Sequence, residues 1–280
     1  DVIICRSDYE VTEGASNKIS LFCGVNQKAV IPLITVSNIY EIPLILDDLG
    51  LGDLIVDGLK LPKTRSNLVD WKNMIGQMAS VEDAMPIAIV GKYADLHDAY
   101  ISVKEALGHA ALHHKYEVDV VWVPSETLEE NGAEEFLSRI SGIVVPGGFG
   151  PRGIEGMIMA CSYARENRIP YLGLCLGMQL MVIDVARNLA GLDKANSTEF
   201  DSDTPHPVID IMRDQKSVVQ KGGTMRLGTY PCHLLPGTRA GKAYNCEVVQ
   251  ERHRHRFEFN NAYREELGKA GLVYSGTSPK

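Results

Sequence analysis

The sequence predicts an α/β protein built on a doubly wound, mostly parallel sheet with antiparallel additions. From residue 86 onward, strand-like apolar runs alternate with helix-like segments, which is typical of such a sheet. The strand-like runs are continuously apolar rather than alternating, as expected for parallel strands covered on both faces. The chain has 280 residues, of which 45% are hydrophobic, so a sizeable core is expected.

The elements follow one another in a regular order. The strand at 87–91 precedes Asp98, a favourable helix N-cap, and an amphipathic helix with apolar residues every three or four positions. The helix at 176–189 is apolar on nearly every face, so we expect it to be central and buried. Further strands are predicted at 118–123, 142–145 and 170–174, and further helices at about 133–140 and 156–168.

The N-terminal part has a different pattern. Strand-like segments at 2–7 and 30–34 flank a short helix candidate, and residues 61–85 resemble a linker with a helix near Trp71. We therefore predict one unit at 1–60, a linker at 61–85 and a second domain at 86–280. Shorter, turn-rich segments beyond residue 200 predict the antiparallel additions. Because the chain starts in a strand-like segment without Met, we expect it to be a piece of a longer protein.

Composition and charge exclude several classes of protein. A formal net charge of −8 disfavours nucleic-acid and anionic-membrane binding. No apolar run approaches the length of a membrane span, and no signal-peptide pattern is present. The six cysteines are widely scattered without a Cys-x-x-Cys pair, which predicts free thiols in a reducing cytoplasm.

One cysteine lies in a distinctive turn, Gly173-Leu174-Cys175-Leu176-Gly177, at a predicted strand-to-helix junction. The spacing copies the Gly-x-Ser-x-Gly nucleophile elbow, in which a strained turn projects the nucleophile from the sheet. The helix N-terminus favours the thiolate, and the N–H of Leu176 would point at an oxyanion. An isolated cysteine is most often a small buried residue, but this glycine spacing favours a catalytic nucleophile.

A glycine-rich segment, Pro-Gly-Gly-Phe-Gly-Pro-Arg-Gly at 146–153, follows another predicted strand. Gly147 and Gly148 would let the backbone present an N–H toward the thiol without an obstructing side chain. Taken alone, the segment is equally compatible with a phosphate-binding loop or a plain loop. It is not a Walker A motif, because no Gly-Lys-Ser/Thr follows.

The histidines do not form a convincing metal site. His253 and His255 would share one face of a strand, but the interleaved arginines would oppose a cation. No carboxylate or cysteine completes the ligand set, so we predict no metal here. We interpret five other histidines as surface or structural residues: His97, His109, His113, His114 and His233.

Five motifs together carry a family resemblance. They are Pro-Gly-Gly-Phe-Gly at 146–150, Gly-Leu-Cys-Leu-Gly-Met-Gln at 173–179, Ala-Asn-Ser-Thr-Glu-Phe at 195–200, Gly-Gly-Thr-Met-Arg-Leu-Gly at 222–228 and Glu-Arg-His-Arg-His-Arg-Phe-Glu at 251–258. In this order they resemble the C-terminal class I glutamine amidotransferase domain of the CTP synthase family, which has a flavodoxin-like sheet. Residues 1–60 resemble the end of that family's amidoligase (synthetase) domain.

The resemblance implies roles for individual residues. Cys175 would attack the side-chain amide of L-glutamine, with oxyanion-hole amides from Gly148 and Leu176. A carboxylate at Glu199 suits the α-ammonium of the substrate, and a guanidinium at Arg256 suits its α-carboxylate. Without the resemblance, Glu199 would be interpreted as a loop N-cap and Arg256 as a surface strand residue. The implied glutamine-binding set is Gly148, Phe149, Leu176, Gly177, Met178, Gln179, Glu199 and Arg256.

The resemblance also implies partners for the whole enzyme. Ammonia would pass through a tunnel to the amidoligase domain, where ATP with Mg²⁺ activates UTP for conversion to CTP. GTP would activate the glutaminase step, near Arg152 and the segment at 222–227. We expect no cofactor bound by this part of the protein, and a homo-oligomer for the full-length enzyme.

In one respect the chain departs from the family pattern. The base histidine and its orienting glutamate normally lie in a His-Pro-Glu segment, and the chain has only His206-Pro207-Val208. We therefore expect this chain to hydrolyse glutamine poorly unless a residue such as His255 replaces the base. Two alternatives stay open: a catalytically incomplete regulatory or assembly module, and another class I-type cysteine hydrolase.

Overall fold

A computed structural model describes residues 1–63, 66–212 and 225–279. The chain forms two compact units, at 1–82 and 83–280. The predicted domain limits at residues 60 and 86 stay predictions. None of the helices in the described ranges combines the length and the apolar character that crossing a membrane requires.

In its described residues, the first unit contains a two-stranded parallel sheet and four α-helices. Helix α1 connects the two strands; the Thr12 hydroxyl caps it by accepting from the Ala15 amide, and Gly24 ends it with a φ of 64°. The buried side chains of this unit come from the second strand and the residue before it. The elements are β1 (Ile3–Ser7), α1 (Glu13–Cys23), β2 (Val30–Ile34), α2 (Ile42–Asp48), α3 (Leu51–Gly58) and α4 (Val69–Ala79).

The second unit is organised around a four-stranded sheet in which all strands are parallel. Its strands are β3 (Ala84–Gly91), β4 (Glu117–Pro124), β5 (Gly142–Val145) and β6 (Tyr171–Gly173). They lie in the order β4-β3-β5-β6. After β4 the chain crosses to the opposite side of β3, so the strand order reverses at β3. The predicted fold class is confirmed. The carboxyl ends of β3, β5 and β6 meet at one edge, where ligands bind in such sheets.

Five helices alternate with these strands, and two details of the prediction were wrong. Asp98 is no N-cap, because it lies inside a 3₁₀ turn, His97–Tyr100, that precedes α5. The segment predicted as one helix at 133–140 contains only a short helix, and a further helix lies before it. Gly132 separates the two at a φ of 87°, outside the helical region. The helices are α5 (Ile101–His113), α6 (Ser125–Asn131), α7 (Glu134–Leu137), α8 (Ile154–Glu166) and α9 (Leu176–Asn188).

Helix α9 is the central helix of this unit, as predicted. Leu176, Leu180 and Ile183 are at most 1% exposed and belong to the main apolar cluster. The cluster also includes residues of β3, β5 and α8, so α9 is covered on several sides. Close packing therefore fixes the position of Leu176, the first residue of α9, and with it the position of the preceding Cys175 at the end of β6.

Among the other described residues of this unit, two smaller sheets have mostly antiparallel pairing, as predicted, and two helices accompany them. One has the order β11-β8-β7 and the other the order β10-β9-β12. In the first, β7 and β8 are parallel while β11 runs antiparallel to β8. The elements are β7 (Asn196–Ser197), β8 (Pro207–Ile211), β9 (Arg226–Leu234), α10 (Arg239–Tyr244), β10 (Val248–His255), β11 (Phe257–Phe259), α11 (Arg264–Lys269) and β12 (Gly276–Thr277).

A buried carboxylate joins α8 to α9. Asp184 is 1% exposed and accepts hydrogen bonds from Arg165 Nε at 2.9 Å, Ser162 Oγ at 2.5 Å and Asn188 Nδ2 at 2.7 Å. Burial alone would raise the pKa of this carboxyl, but the three donors outweigh burial and lower it. Asp184 is therefore ionised in the folded protein at neutral pH.

We expect Asp184→Asn to lower the free energy of unfolding at pH 7 by about 2–3 kcal/mol, because it removes the partner of Arg165. The folded-state pKa lies below the unfolded value of about 3.9. The stabilisation is therefore complete above that value and is lost as pH falls through the folded-state pKa. Urea unfolding of both proteins from pH 7 to about pH 2 measures the difference, which should stay constant down to about pH 4 and shrink below it.

Glu166→Gln is the matched control, since Glu166 also pairs with Arg165, at 3.2 Å, but its side chain is 64% exposed. An exposed pair contributes little, so we expect a change within about 0.5 kcal/mol. Equal losses for the two variants would contradict the assignment of the stabilisation to the buried carboxylate.

Candidate active site

Cys175 lies between β6 and α9 in a strained backbone conformation. Its φ is 55° and its ψ is −102°, a combination outside the regions that L-residues normally occupy. Such a residue costs about 1–3 kcal/mol and persists only where the surrounding structure imposes it. Because Cys175 is exposed to solvent, the turn presents its thiol at the carboxyl edge of the sheet. This outlier is the strongest local indication of a functional residue.

The two flanking glycines leave room for this turn. A Cβ on Gly173 would lie 2.4 Å from the carbonyl carbon of Gly177, and a Cβ on Gly177 would lie 2.0 Å from the carbonyl oxygen of Val145. Neither glycine has a positive φ, so the strain is carried by Cys175 itself. The hydroxyl of Tyr171 donates to the Gly177 carbonyl at 2.8 Å and holds the start of α9. Close backbone packing, rather than conformational freedom, therefore requires glycine here.

The surroundings of Cys175 raise the pKa of its thiol, whereas the sequence suggested that the helix N-terminus would favour the thiolate. Partial burial raises the pKa of Cys175, the N–H of Leu176 lowers it, and the negative charge of Glu199 raises it. The net direction is upward, so the helix N-terminus does not outweigh burial and the carboxylate. The Leu176 N–H does lie at the sulfur, where an oxyanion donor is required. The thiol needs a base to accept its proton.

The glycine-rich loop adjoins this turn. A Cβ on Gly147 would lie 3.6 Å from the Cβ of Cys175, and a Cβ on Gly148 would lie 3.2 Å from Cδ2 of Leu176. The two segments that the sequence placed at strand ends are therefore neighbours. Gly150 adopts a φ of 76°, which turns the loop toward α8.

Glu199 also faces the loop. Its Oε1 accepts a hydrogen bond from the Gly150 amide at 3.1 Å, and its own amide donates to Ser197 Oγ at 3.2 Å. The carboxylate comes from the loop after β7, so tertiary packing brings it to the glycine-rich segment. The negative charge of Glu199 also raises the pKa of Cys175, so the carboxylate belongs to the electrostatic surroundings of the thiol.

Gln179 lies on α9, and Arg256 lies in the C-terminal segment that this helix contacts. Gln179 is 6% exposed, and its Nε2 donates to the Phe257 carbonyl at 3.0 Å. Arg256 lies between β10 and β11 and is 8% exposed, so it is no surface strand residue. The helix that begins after Cys175 therefore meets the segment that carries the buried guanidinium.

The other predicted binding residues divide by exposure. Phe149 and Met178 are 51% and 38% exposed, respectively, and are free to contact a ligand. Leu176 and Gly177 are buried, so they could contribute only backbone groups. Binding roles for all these residues stay predictions.

Lys92 is a residue that the sequence interpretation missed. It follows β3 directly and is 5% exposed. Its Nζ donates to the Phe149 carbonyl at 2.9 Å and also to the Gly150 carbonyl. Burial lowers the pKa of its ammonium, whereas the charge of Glu199 raises it. The available signal was its place at the carboxyl end of a predicted parallel strand.

Arg152 lies at the outer side of this loop and is exposed. Its Nη2 donates to the Lys92 carbonyl at 2.7 Å, and its Nη1 forms an ion pair with Glu126. The guanidinium also lies 5.7 Å from the centre of the Tyr93 ring. Of the second predicted activation segment, residues 222–224 lie outside the described residues, while Arg226 and Leu227 begin β9.

The two histidines of β10, His253 and His255, were considered as a metal pair and as a source of the base. The rings of His253 and His255 are 5.0 Å apart, which confirms that they share a strand face. Burial and the charge of Arg226 lower the pKa of His253. No described histidine is among the groups that shift the pKa of Cys175. In the part of the chain that the structure describes, no three His, Cys, Asp or Glu residues lie together as metal ligands.

Comparison with known families identifies two matching regions. The family described as glutamine amidotransferase class-I matches residues 95–280. The family described as CTP synthase N-terminus matches residues 1–61. The first match contains Cys175, the glycine-rich loop, Glu199 and Arg256.

Similar proteins cover the whole chain. CTP synthase of Roseiflexus castenholzii is 57% identical over 280 residues, which is 100% of this chain and 50% of that protein. CTP synthase of Dehalococcoides mccartyi strain CBDB1 is 56% identical over 279 residues, 100% of this chain and 51% of that protein. The chain thus spans about half the length of the curated relatives it matches.

A solved structure gives the same result. The glutaminase domain of Trypanosoma brucei CTPS with bound acivicin aligns with a TM-score of 0.64 and 41% sequence identity. The alignment covers 69% of this chain and 74% of that chain.

Proposed function

Because this chain belongs to the CTP synthase family, we propose that it hydrolyses L-glutamine at Cys175 and supplies the ammonia for ATP-dependent amination of UTP to CTP. The observation that carries the proposal is the strained, exposed Cys175 between the Leu176 amide and the glycine-rich loop. This function is favoured over a non-catalytic module, for which a strained nucleophile turn would have no use. It is also favoured over an unrelated cysteine hydrolase.

The proposed reaction proceeds through a thioester. The Cys175 sulfur attacks the side-chain amide carbon of glutamine, and the amide nitrogen leaves as ammonia after taking up a proton. The N–H groups of Leu176 and Gly148 stabilise the oxyanion that forms on the carbonyl oxygen. Water then hydrolyses the thioester to give glutamate and restores the thiol. Since the pKa of Cys175 is raised, a base must first accept the thiol proton.

The amino-acid end of the substrate would be held by charged groups. Glu199 accepts a hydrogen bond from the glycine-rich loop and its charge acts on the pKa of the thiol, and a carboxylate here suits the α-ammonium. The buried guanidinium of Arg256 suits the α-carboxylate. Gln179 would position the Arg256 segment through the Phe257 carbonyl, and exposed Phe149 and Met178 would cover the aliphatic part.

The partners of the whole enzyme belong to the same proposal. They are UTP, ATP with Mg²⁺, and GTP as an activator near Arg152, whose exposed guanidinium contacts the Lys92 carbonyl. We also propose a homo-oligomer in the cytoplasm, where the six free thiols would stay reduced.

Labelling with acivicin tests the proposed function. We expect one covalent adduct, at Cys175, because a glutamine-like electrophile is held beside the thiol by the same groups as the substrate. L-Glutamine should slow the labelling, whereas D-glutamine should not, since its α-ammonium and α-carboxylate cannot both reach Glu199 and Arg256. Intact-mass measurement and peptide mapping by mass spectrometry detect the adduct and its site.

Cys23→Ser is the matched control, because Cys23 is also an exposed free thiol and lies in the other unit. Its loss should leave the labelling unchanged. Labelling of Cys23 or Cys246 at the rate of Cys175 would show that acivicin reports exposure alone, and the proposal would then fail.

A further inference from the structure

Lys92 is a buried cation in contact with the glycine-rich loop. Lysine is almost never fully buried without partners, because removing an ammonium from water is costly. Here the ammonium donates to two consecutive carbonyls, those of Phe149 and Gly150, and lies 5.9 Å from the centre of the Phe200 ring. The loop and the residue after Glu199 therefore surround the same charge.

The peptide unit between Phe149 and Gly150 is held at both edges. Its carbonyl accepts from Lys92 Nζ at 2.9 Å, and its N–H donates to Glu199 Oε1 at 3.1 Å. Rotating a peptide unit exchanges the directions of its N–H and C=O groups. A cation on one edge and a carboxylate on the other both oppose that rotation, since each would then face a group of the wrong polarity.

The stem of Lys92 contacts the preceding residue of the loop. Its Cδ and Cε lie 3.4 Å from the position of a Cβ on Gly148, the proposed oxyanion donor. The backbone of Lys92 is itself fixed, because its carbonyl accepts from Arg152 Nη2 at 2.7 Å. The side chain of Lys92 thus lies against three consecutive residues of the loop, 148–150, while Arg152 holds its backbone.

We propose that Lys92 is a positioning residue for the glutaminase reaction. Its ammonium fixes the peptide between Phe149 and Gly150, and thereby directs the Gly148 N–H toward the oxyanion. The inference rests on the proposed function of Cys175. The contacts of Lys92 are with the loop and with Phe200, so its loss should weaken stabilisation of the oxyanion and leave the thiol itself unchanged.

Two electrophiles separate these effects. Iodoacetamide alkylates a thiol by direct displacement, without an oxyanion, whereas the chloroketone analogue of L-glutamine presents a carbonyl oxygen to the oxyanion donors. We expect Lys92→Met, which keeps the aliphatic stem, to lower the maximal rate with the chloroketone by about 100-fold, as loss of an oxyanion donor does. The rate with iodoacetamide should change less than about threefold, as should the chloroketone concentration that gives half the maximal rate.

Two further variants keep the test conclusive. Lys92→Arg retains a cationic donor and should restore part of the chloroketone rate. Lys104→Met removes an exposed lysine of α5 and should change neither rate. Peptide mapping assigns all labelling to Cys175, and urea unfolding confirms that each variant is folded.

The outcomes separate the positioning role of Lys92 from the proposed function of Cys175. Unchanged chloroketone labelling in Lys92→Met would overturn the positioning role while the proposed function stands. Equal slowing with both electrophiles, together with lower stability, would show that Lys92 only supports the fold, and would also overturn the role. If the chloroketone does not prefer Cys175 over Cys23 in the unaltered chain, the proposed function itself fails.

Discussion

In the full-length protein, Cys175→Ala should lower the rate of glutamate release from L-glutamine by about four orders of magnitude or more. Without the sulfur no thioester can form, and the oxyanion donors alone provide only a small part of the rate. Adding hydroxylamine provides a second measurement, because it captures a thioester as γ-glutamyl hydroxamate and regenerates the thiol. Both products should be absent in the variant.

Cys246→Ser is the control for this experiment, since Cys246 is an exposed thiol in the same unit. It should leave both products unchanged. Cys161 is no competing nucleophile, because burial raises its pKa to about 12. Glutamate or hydroxamate formation at the original rate by Cys175→Ala would place the nucleophile elsewhere.

Gly177→Ala should lower the free energy of unfolding by about 3 kcal/mol or more. The new Cβ would lie 2.0 Å from the Val145 carbonyl oxygen and 2.9 Å from its carbonyl carbon, so backbone must move. A shift of α9 away from β5 would displace Leu176, whose side chain is buried and whose amide lies at the thiol. Urea unfolding measures the stability, and acivicin labelling of Cys175 measures the geometry of the turn.

Gly108→Ala provides the matched comparison. Gly108 lies within α5, and a Cβ there would meet nothing within 4 Å. Since alanine favours helix over glycine, we expect a gain of about 0.5–1 kcal/mol with unchanged labelling. If Gly177→Ala proved as stable as the unaltered chain, α9 could shift freely, and the close-packing explanation of the Gly-x-Cys-x-Gly spacing would be wrong.

The fold class was predictable because apolar runs and helical periodicity are local properties of the sequence. The continuous apolar runs near 87–91 and 142–145 became parallel strands, and the apolar segment after Cys175 became the central helix. Helix α6 was missed. It starts directly after β4 and ends where Gly132 adopts a positive φ. With only seven residues between a strand and a glycine, the segment is too short to show a clear helical periodicity.

The candidate site was predictable in part. Cys175 and the two loops follow from motifs that lie at strand ends, and the turn has the strained geometry expected of a nucleophile elbow. Lys92 was not predictable, because a single lysine after a strand has the same local pattern whether it faces water or the interior. Only the approach of Phe149, Gly150 and Phe200 shows that its ammonium is buried.

The sequence by itself determined that a cysteine lies at a strand-to-helix turn flanked by glycines, in a chain that resembles the class I glutamine amidotransferases. The tertiary structure decided the direction in which the pKa of that thiol is shifted. Its helix N-terminus predicted a lowered pKa, whereas partial burial and the charge of Glu199 raise it. The reason is physical: a pKa depends on solvent access and on charges from distant parts of the chain, and neither is encoded in the local pattern.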